Sequence, residues 1–233
     1  MTAKLPEKVM NGKLFDIESP MAIELRRIMI RLGRTVDFNR KLSLMVSSSE
    51  SGEGKSLFST HFSLVLAYHL QKSILLLDGD LRKPVQHTVF GHEISPGLGE
   101  LLGGKASILE AVRKTAVSNL DLLPAGDGGK RPSRLFNEAK LKALVKELHN
   151  EYDIIILDSP PVVPVSDPLL FVHAVDGLIY MVMAGRTSRE ISQRGVEIFK
   201  GAGANILGVV ANNLGDVLPY YYSNKYYGYY DQK

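Results

Sequence analysis

Cysteine is absent from the 233 residues, which excludes disulfides and thiolate metal sites and suits a reducing compartment. No run of 18 or more apolar residues occurs, so no membrane-spanning helix is expected. Residues 1–20 carry lysines with no apolar stretch behind them, and no secretory signal is read there. An excess of one charge is also missing: 28 Lys and Arg stand against 25 Asp and Glu, a formal +3. That is too mild for a nucleic-acid surface, so no nucleic-acid partner is expected. What remains is 45% hydrophobic and 23% charged, a composition typical of globular domains, in a chain long enough for one well-cored α/β domain and short for two.

Tyrosine is the exception. Tyr220, Tyr221, Tyr222, Tyr226, Tyr227, Tyr229 and Tyr230 account for seven of the ten tyrosines and fall within eleven residues. Ser223, Asn224, Lys225 and Gly228 interrupt them, which denies the cluster a sustained period of 2 or 3.6. Residues 219–233 therefore read as a flexible tail following a domain over 1–218.

Within that domain, Met21, Leu25, Ile28, Met29 and Leu32 recur at helical spacing up to Gly33, so an amphipathic helix is expected over 21–33. Apolar runs follow at 42–46, 74–77, 120–123, 154–157, 178–182 and 206–210. They are short and apolar on both faces, as strands buried between helix layers must be. Helical stretches separate them. The clearest is 134–149, with an apolar stripe of Leu141, Leu144, Val145 and Leu148 and a Glu138/Lys142 pair. The fold class is α/β, a mostly parallel sheet flanked by helices on both faces.

The segment Ser47-Ser48-Ser49-Glu50-Ser51-Gly52-Glu53-Gly54-Lys55-Ser56 lies between the strand 42–46 and a helical run, 57–70. That is the setting of a P-loop, in which small residues let backbone N–H groups turn toward phosphate oxygens at a helix N-terminus. Gly52, Glu53, Gly54, Lys55, Ser56 and Leu57 form the expected nucleotide cradle. Lys55 reaches the β- and γ-phosphates of ATP, and the Ser56 hydroxyl sits on Mg²⁺. Ser49 stands where the first glycine is usual.

Two strands end in acids: Asp78 and Asp80 at i and i+2, and Asp158 before Ser159-Pro160-Pro161. A lone aspartate at a strand end is ordinarily a loop or helix cap. Three behind a P-loop point instead to phosphoryl-transfer chemistry, with Ser56, Asp78 and Asp158 as candidate metal ligands and Asp78 or Asp80 facing the nucleophile.

These residues resemble the bacterial tyrosine kinases (BY-kinases) of capsule and exopolysaccharide export, and the resemblance runs essentially end to end. It is carried by SSSESGEGKS (47–56), ILLLDGDLRKP (74–84), GLGELLGG (97–104), LLPAG (122–126), IIILDSPPVVPVSD (154–167), GVVANN (208–213) and the tyrosine cluster. It implies a P-loop NTPase fold of ParA/MinD type using ATP and Mg²⁺, with Lys55, Asp78 and Asp80 catalytic. By resemblance Asp78 takes the tyrosine proton, Asn212 binds the adenine edge, and the seven tail tyrosines accept phosphate from a neighbouring subunit. Arg82 and Lys83 either hold a phosphate or the substrate tail, or form a solvated basic turn. Glu24 and Arg27 fit the family's oligomerisation pattern, although Ile30 replaces its last arginine and Arg31 stands one position on. The expected partners are other copies in a ring, a membrane polysaccharide co-polymerase that activates the kinase, and a tyrosine phosphatase. The expected place is the cytoplasmic face of the membrane, reached through a partner or a membrane region outside this chain. Further departures are Ser51 for the usual proline and Lys130-Arg131-Pro132 at a turn. The competing function is a ParA/MinD-like ATPase switch. Its signature lysine would align with Glu50, and it has no use for seven tyrosines.

Overall fold

The short apolar runs form strands whose alternate side chains serve two separate cores. A computed structural model describes residues 16–129 and 132–214. The tyrosine cluster and Lys130 and Arg131 lie outside the described residues. The strands are β1 (Leu42–Ser48), β2 (Ile74–Asp78), β3 (Arg113–Lys114), β4 (Leu120–Leu123), β5 (Ile154–Asp158), β6 (Gly177–Met183) and β7 (Ile206–Asn212). The α-helices are α1 (Pro20–Leu32), α2 (Lys55–Leu70), α3 (Gln86–Phe90), α4 (Leu98–Leu102), α5 (Ile108–Ala111), α6 (Glu138–Leu148), α7 (Asp167–Phe171) and α8 (Arg189–Gly201).

The strands form one sheet in the order β3-β4-β2-β5-β1-β6-β7. All neighbours are parallel except the short β3, which runs antiparallel to β4. Leu75, Leu77, Ile155 and Leu157 face one core with Leu141, Phe171 and Phe199 from the helices. Ile74, Leu76, Ile154 and Ile156 face the other, against Met29 of α1 and Phe62 of α2. The α2 helix is buried on almost every side, and it descends from the P-loop through the middle of the second core. All parallel strands deliver their carboxyl ends to one rim, where an open α/β sheet takes its ligands.

Local chemistry sets the helix ends. Ser19 caps α1 by accepting from the Ala22 N–H at 3.3 Å, with Pro20 opening the first turn. The expected helix over 134–149 starts later. Its cap is Asn137, whose side chain accepts from the Lys140 N–H at 3.2 Å, and a 3-10 turn at Pro132–Arg134 precedes it. The stripe of Leu141, Leu144, Val145 and Leu148 is buried and the Lys142–Glu138 pair forms at 2.7 Å. β7 also departs from expectation, being only partly buried along its length, with Val209 59% exposed. Among the described residues it pairs with β6 alone, at the end of the sheet order, so its period-2 pattern splits between packed and solvated sides.

Candidate active site

β1 runs straight into the P-loop. Gly52 (φ 83) and Gly54 (φ 93) hold left-handed conformations, which glycine adopts without strain. A Cβ at Gly54 would also collide with the Asn212 amide. Ser49 is explained by what lies behind it: its hydroxyl donates to the Ile191 carbonyl at 2.8 Å and meets the hydroxyl of Tyr180. Tyr180 Oη also lies 3.1 Å from the Ser192 carbonyl, its one proton shared between that oxygen and Ser49 Oγ. Gly195 makes this possible, since a Cβ there would strike Tyr180 and sit 2.5 Å from Ser49 Oγ. The usual first glycine is thus exchanged for a serine that bolts the loop to β6 and α8.

Glu53 is buried and tied on both oxygens, accepting from the Glu50 N–H at 2.6 Å and from the Thr187 hydroxyl. Asn212, at the end of β7, donates to the Glu53 carbonyl at 3.2 Å. Lys55 folds back onto the loop, its Nζ 3.1 Å from Ser48 Oγ and 3.3 Å from the Glu50 carbonyl. Burial lowers its pKa, against the pull of Asp158, Asp80 and Glu53. The loop already holds the lysine at the mouth where phosphates would enter.

The pairing of β2 with β5 sets Asp78 opposite Asp158. Asp78 is fully enclosed. Its Oδ1 accepts from the Asp80 N–H at 3.2 Å, and its Oδ2 from the N–H groups of Val85 at 3.1 Å and Gln86 at 3.0 Å. Burial, and next the charge of Asp158, raise its pKa well above the usual carboxylate range, against the three N–H donors. Asp158 is buried too, and its pKa rises to about 6, chiefly by desolvation, while Gln86, Ser56 and Lys55 hold it down. Asp158 Oδ2 accepts from Gln86 Nε2 at 2.8 Å, and its buried Oδ1 has no hydrogen-bond partner. Asp80 is only partly buried, its Oδ1 held by the N–H groups of Arg82 at 3.1 Å and Lys83 at 3.0 Å.

The expectation that Asp78 takes a tyrosine proton meets a physical obstacle. Both its oxygens are engaged and no surface is open to a phenol, whereas Asp80 reaches solvent from the same turn. Arg82 is exposed, and its guanidinium is already engaged within the chain. Its Nε pairs with the buried Asp167 at 2.9 Å, and its Nη2 donates to Ser133 at 2.6 Å. Glu24 and Arg27 pair with each other within α1. A cavity of about 250 Å³ separates α1 from the nucleotide side; Met21, Leu25, Leu57, Phe58 and Asn212 are among its walls.

The donor set suits a hard divalent cation such as Mg²⁺. A serine hydroxyl and a carboxylate with one unclaimed buried oxygen stand together beside the phosphate cradle, and such ions take oxygen ligands from protein and phosphate alike. The residues that sequence reading passed over are Gln86, Thr187 and Tyr180. None belongs to a spaced motif, and their partners lie far along the chain.

Comparison with known proteins agrees with this layout. Residues 43–168 match the model of an AAA domain family. Tyrosine-protein kinase YwqD of Bacillus subtilis (strain 168) is 33% identical over 191 residues, covering 82% of this chain and 78% of that protein. The chain belongs to the bacterial tyrosine-protein kinase family. A solved structure, that of the chimerical protein CapA2B2, superposes with a TM-score of 0.77 at 29% identity, covering 83% of this chain and 84% of the other. The septum site-determining protein MinD of Pyrococcus horikoshii, solved with Mg-ADP, gives a TM-score of 0.65 at 23% identity, covering 75% and 71%. That likeness is one of fold alone: kinase family and MinD share the P-loop sheet, a nucleotide-binding architecture.

Proposed function

We propose that this chain uses Mg-ATP to phosphorylate tyrosines of its own C-terminal cluster, in trans between subunits, and that it thereby regulates the synthesis and export of an extracellular polysaccharide. The observation that carries this reading is the convergence of Lys55 and Ser56 with Asp78, Asp80 and Asp158 at the carboxyl rim of β1, β2 and β5. When bound, Mg²⁺ supplies neutralisation of phosphate charge, and Ser56 and Asp158 are the residues to hold it. Lys55 binds the β- and γ-phosphates. The adenine lies on the side of Leu57 and Asn212, where the cavity against α1 opens. Asp80 is the acid an incoming phenol can reach. A tyrosine with a pKa near 10 is protonated at neutral pH and gains from a positioned acceptor. Asp78 anchors the turn that presents Asp80, through the 3.2 Å bond from the Asp80 N–H.

Several phosphates on one short tail, each about −1.5 to −2 charges, repel one another and would drive the tail out of a neighbouring site. A ring of copies, a membrane co-polymerase as activator and a tyrosine phosphatase to reset the tail complete the proposal. No helix among the described residues is long and apolar enough to cross a membrane, so attachment is assigned to a partner or to a region outside this chain. The ParA/MinD-like switch is disfavoured by Glu50, which carries the charge opposite to a signature lysine.

Phosphate mapping by mass spectrometry after incubation with Mg-ATP tests the proposal, with Asp80→Asn and Asp78→Asn run alongside. Phosphotyrosine within 220–230 is expected in the wild type. In Asp80→Asn, labelling slows by about 10²- to 10⁴-fold, the usual range for a lost acid–base group, while nucleotide binding persists. A wild-type tail that stays unmodified even with the cytoplasmic part of the co-polymerase activator added would remove the autokinase reading. Labelling of Asp80→Asn at the wild-type rate would remove Asp80 as acceptor.

A further inference from the structure

Gln86 is a polar residue with no exposed surface, placed where β2, β5 and α2 meet. Its backbone N–H donates to Asp78 Oδ2 at 3.0 Å. Its side-chain Nε2 donates to Asp158 Oδ2 at 2.8 Å and to the Ser56 carbonyl at 3.1 Å. Its Oε1 accepts from the Thr60 hydroxyl at 2.7 Å. Both amide hydrogens and the amide oxygen are therefore spent, and the side chain has one orientation in which all are satisfied. Burying a primary amide is costly unless it is fully bonded, and here every polar atom of the amide is bonded. What it holds is specific: the carboxylate of Asp158 on one side and the backbone of Ser56 on the other.

We propose that Gln86 is a positioning residue for the metal site, fixing Asp158 and Ser56 relative to each other so that Asp158 Oδ1 is left as the single uncommitted oxygen. The amide claims Oδ2 and stops the carboxylate from rotating. Oδ1 is then buried, unpartnered and held in place. The same amide fixes the Ser56 carbonyl, and with it the first turn of α2 that carries the Ser56 hydroxyl. Thr60, one turn further along α2, shares its one hydroxyl proton between the amide oxygen at 2.7 Å and the same Ser56 carbonyl at 2.8 Å, closing the cluster. This rests on the reading of Ser56 and Asp158 as the residues that hold Mg²⁺.

The test is metal affinity of the ADP complex, read by Mn²⁺ electron paramagnetic resonance, together with ADP affinity in EDTA. The variants are Gln86→Met, Asp158→Asn, the double variant and Thr60→Val. Outer partners of metal ligands typically change metal affinity by about 10- to 100-fold, and Gln86→Met is expected to lose that much while binding ADP in EDTA as the wild type does. In the Asp158→Asn background Gln86→Met should add nothing, because its effect passes through that carboxylate. Thr60→Val, which keeps the amide but removes the hydroxyl that meets both its oxygen and the Ser56 carbonyl, should show a smaller loss in the same direction. It carries the test alone should circular dichroism find Gln86→Met unfolded. Unchanged Mn²⁺ affinity in both Gln86→Met and Thr60→Val, an equal loss in EDTA, or an undiminished effect on the Asp158→Asn background would each overturn the proposal. Unchanged Mn²⁺ affinity in Asp158→Asn alone would instead overturn the assignment of the metal residues.

Discussion

On the β6–β7 flank of the P-loop, polar groups are matched. Ser49 is bonded to Ile191 and Tyr180, Glu53 to Glu50 and Thr187, and Asn212 to Glu53. On the β2–β5 flank two buried carboxylates face each other across neighbouring strands, both with raised pKa, and one oxygen has no partner. The first flank is a scaffold whose bonds close on themselves. The second holds a charge arrangement that favours a cation and is unfavourable without one. Perturbed, incompletely satisfied groups concentrate where chemistry is done, and the contrast within one loop separates residues that shape it from residues that act.

The largest expected effect comes from Lys55, which lies between the flanks. Lys55→Met removes a buried side-chain charge at the P-loop. Loss of such a preorganised electrostatic contact typically costs about 10²- to 10³-fold or more in rate. Autophosphorylation measured by anti-phosphotyrosine blotting should fall at least that far, with weaker ATP binding; full activity would remove the P-loop assignment.

A second effect has the opposite sign. The folded pKa of Asp158, about 6, lies above its unfolded value. Its contribution to stability is therefore present at low pH and lost as pH rises through about 6. Without nucleotide at pH 7.5, Asp158→Asn should melt higher than the wild type, by about 2–4 °C for each kcal/mol regained in a chain of this size. The gap should narrow toward pH 5. A lower melting temperature for Asp158→Asn at pH 7.5 would mean that the acid flank is structural, and the contrast would fail.

The scaffold flank should yield the smallest change. Tyr180→Phe deletes one hydroxyl but leaves Ser49 bonded to Ile191. A loss of about 1 kcal/mol, the usual net worth of a hydrogen bond, is expected in denaturant titrations with the rate of labelling little changed. A rate defect comparable to that of Lys55→Met would place Tyr180 among the acting residues.

Much of this was legible in the sequence because it is written contiguously. Strand, P-loop and α2 follow one another within about thirty residues, and four apolar residues followed by an aspartate announce both acidic strand ends. The i, i+2 spacing of Asp78 and Asp80 suggested two carboxylates leaning the same way, whereas Asp78 is enclosed and Asp80 is partly exposed. It did not reveal that the chain from 80 to 86 wraps back and encloses Asp78 in N–H groups, which is a matter of path rather than pattern. Gln86 and Tyr180 were silent because their partners stand 72 and 131 residues away. The open side of β7 was missed because six apolar runs look alike until the sheet order decides which one lies at an edge.

The central claim is that one subunit phosphorylates the tail of another. The most direct measurement mixes a Lys55→Met protein carrying the intact tyrosine cluster with a catalytically competent chain ending near Leu218, then maps phosphate by mass spectrometry. Phosphotyrosine should accumulate within 220–230 of the Lys55→Met protein, at a rate that rises with concentration, while the truncated chain incubated alone remains unmodified. Phosphotyrosine on the truncated chain alone at the level of the full-length protein would contradict the account.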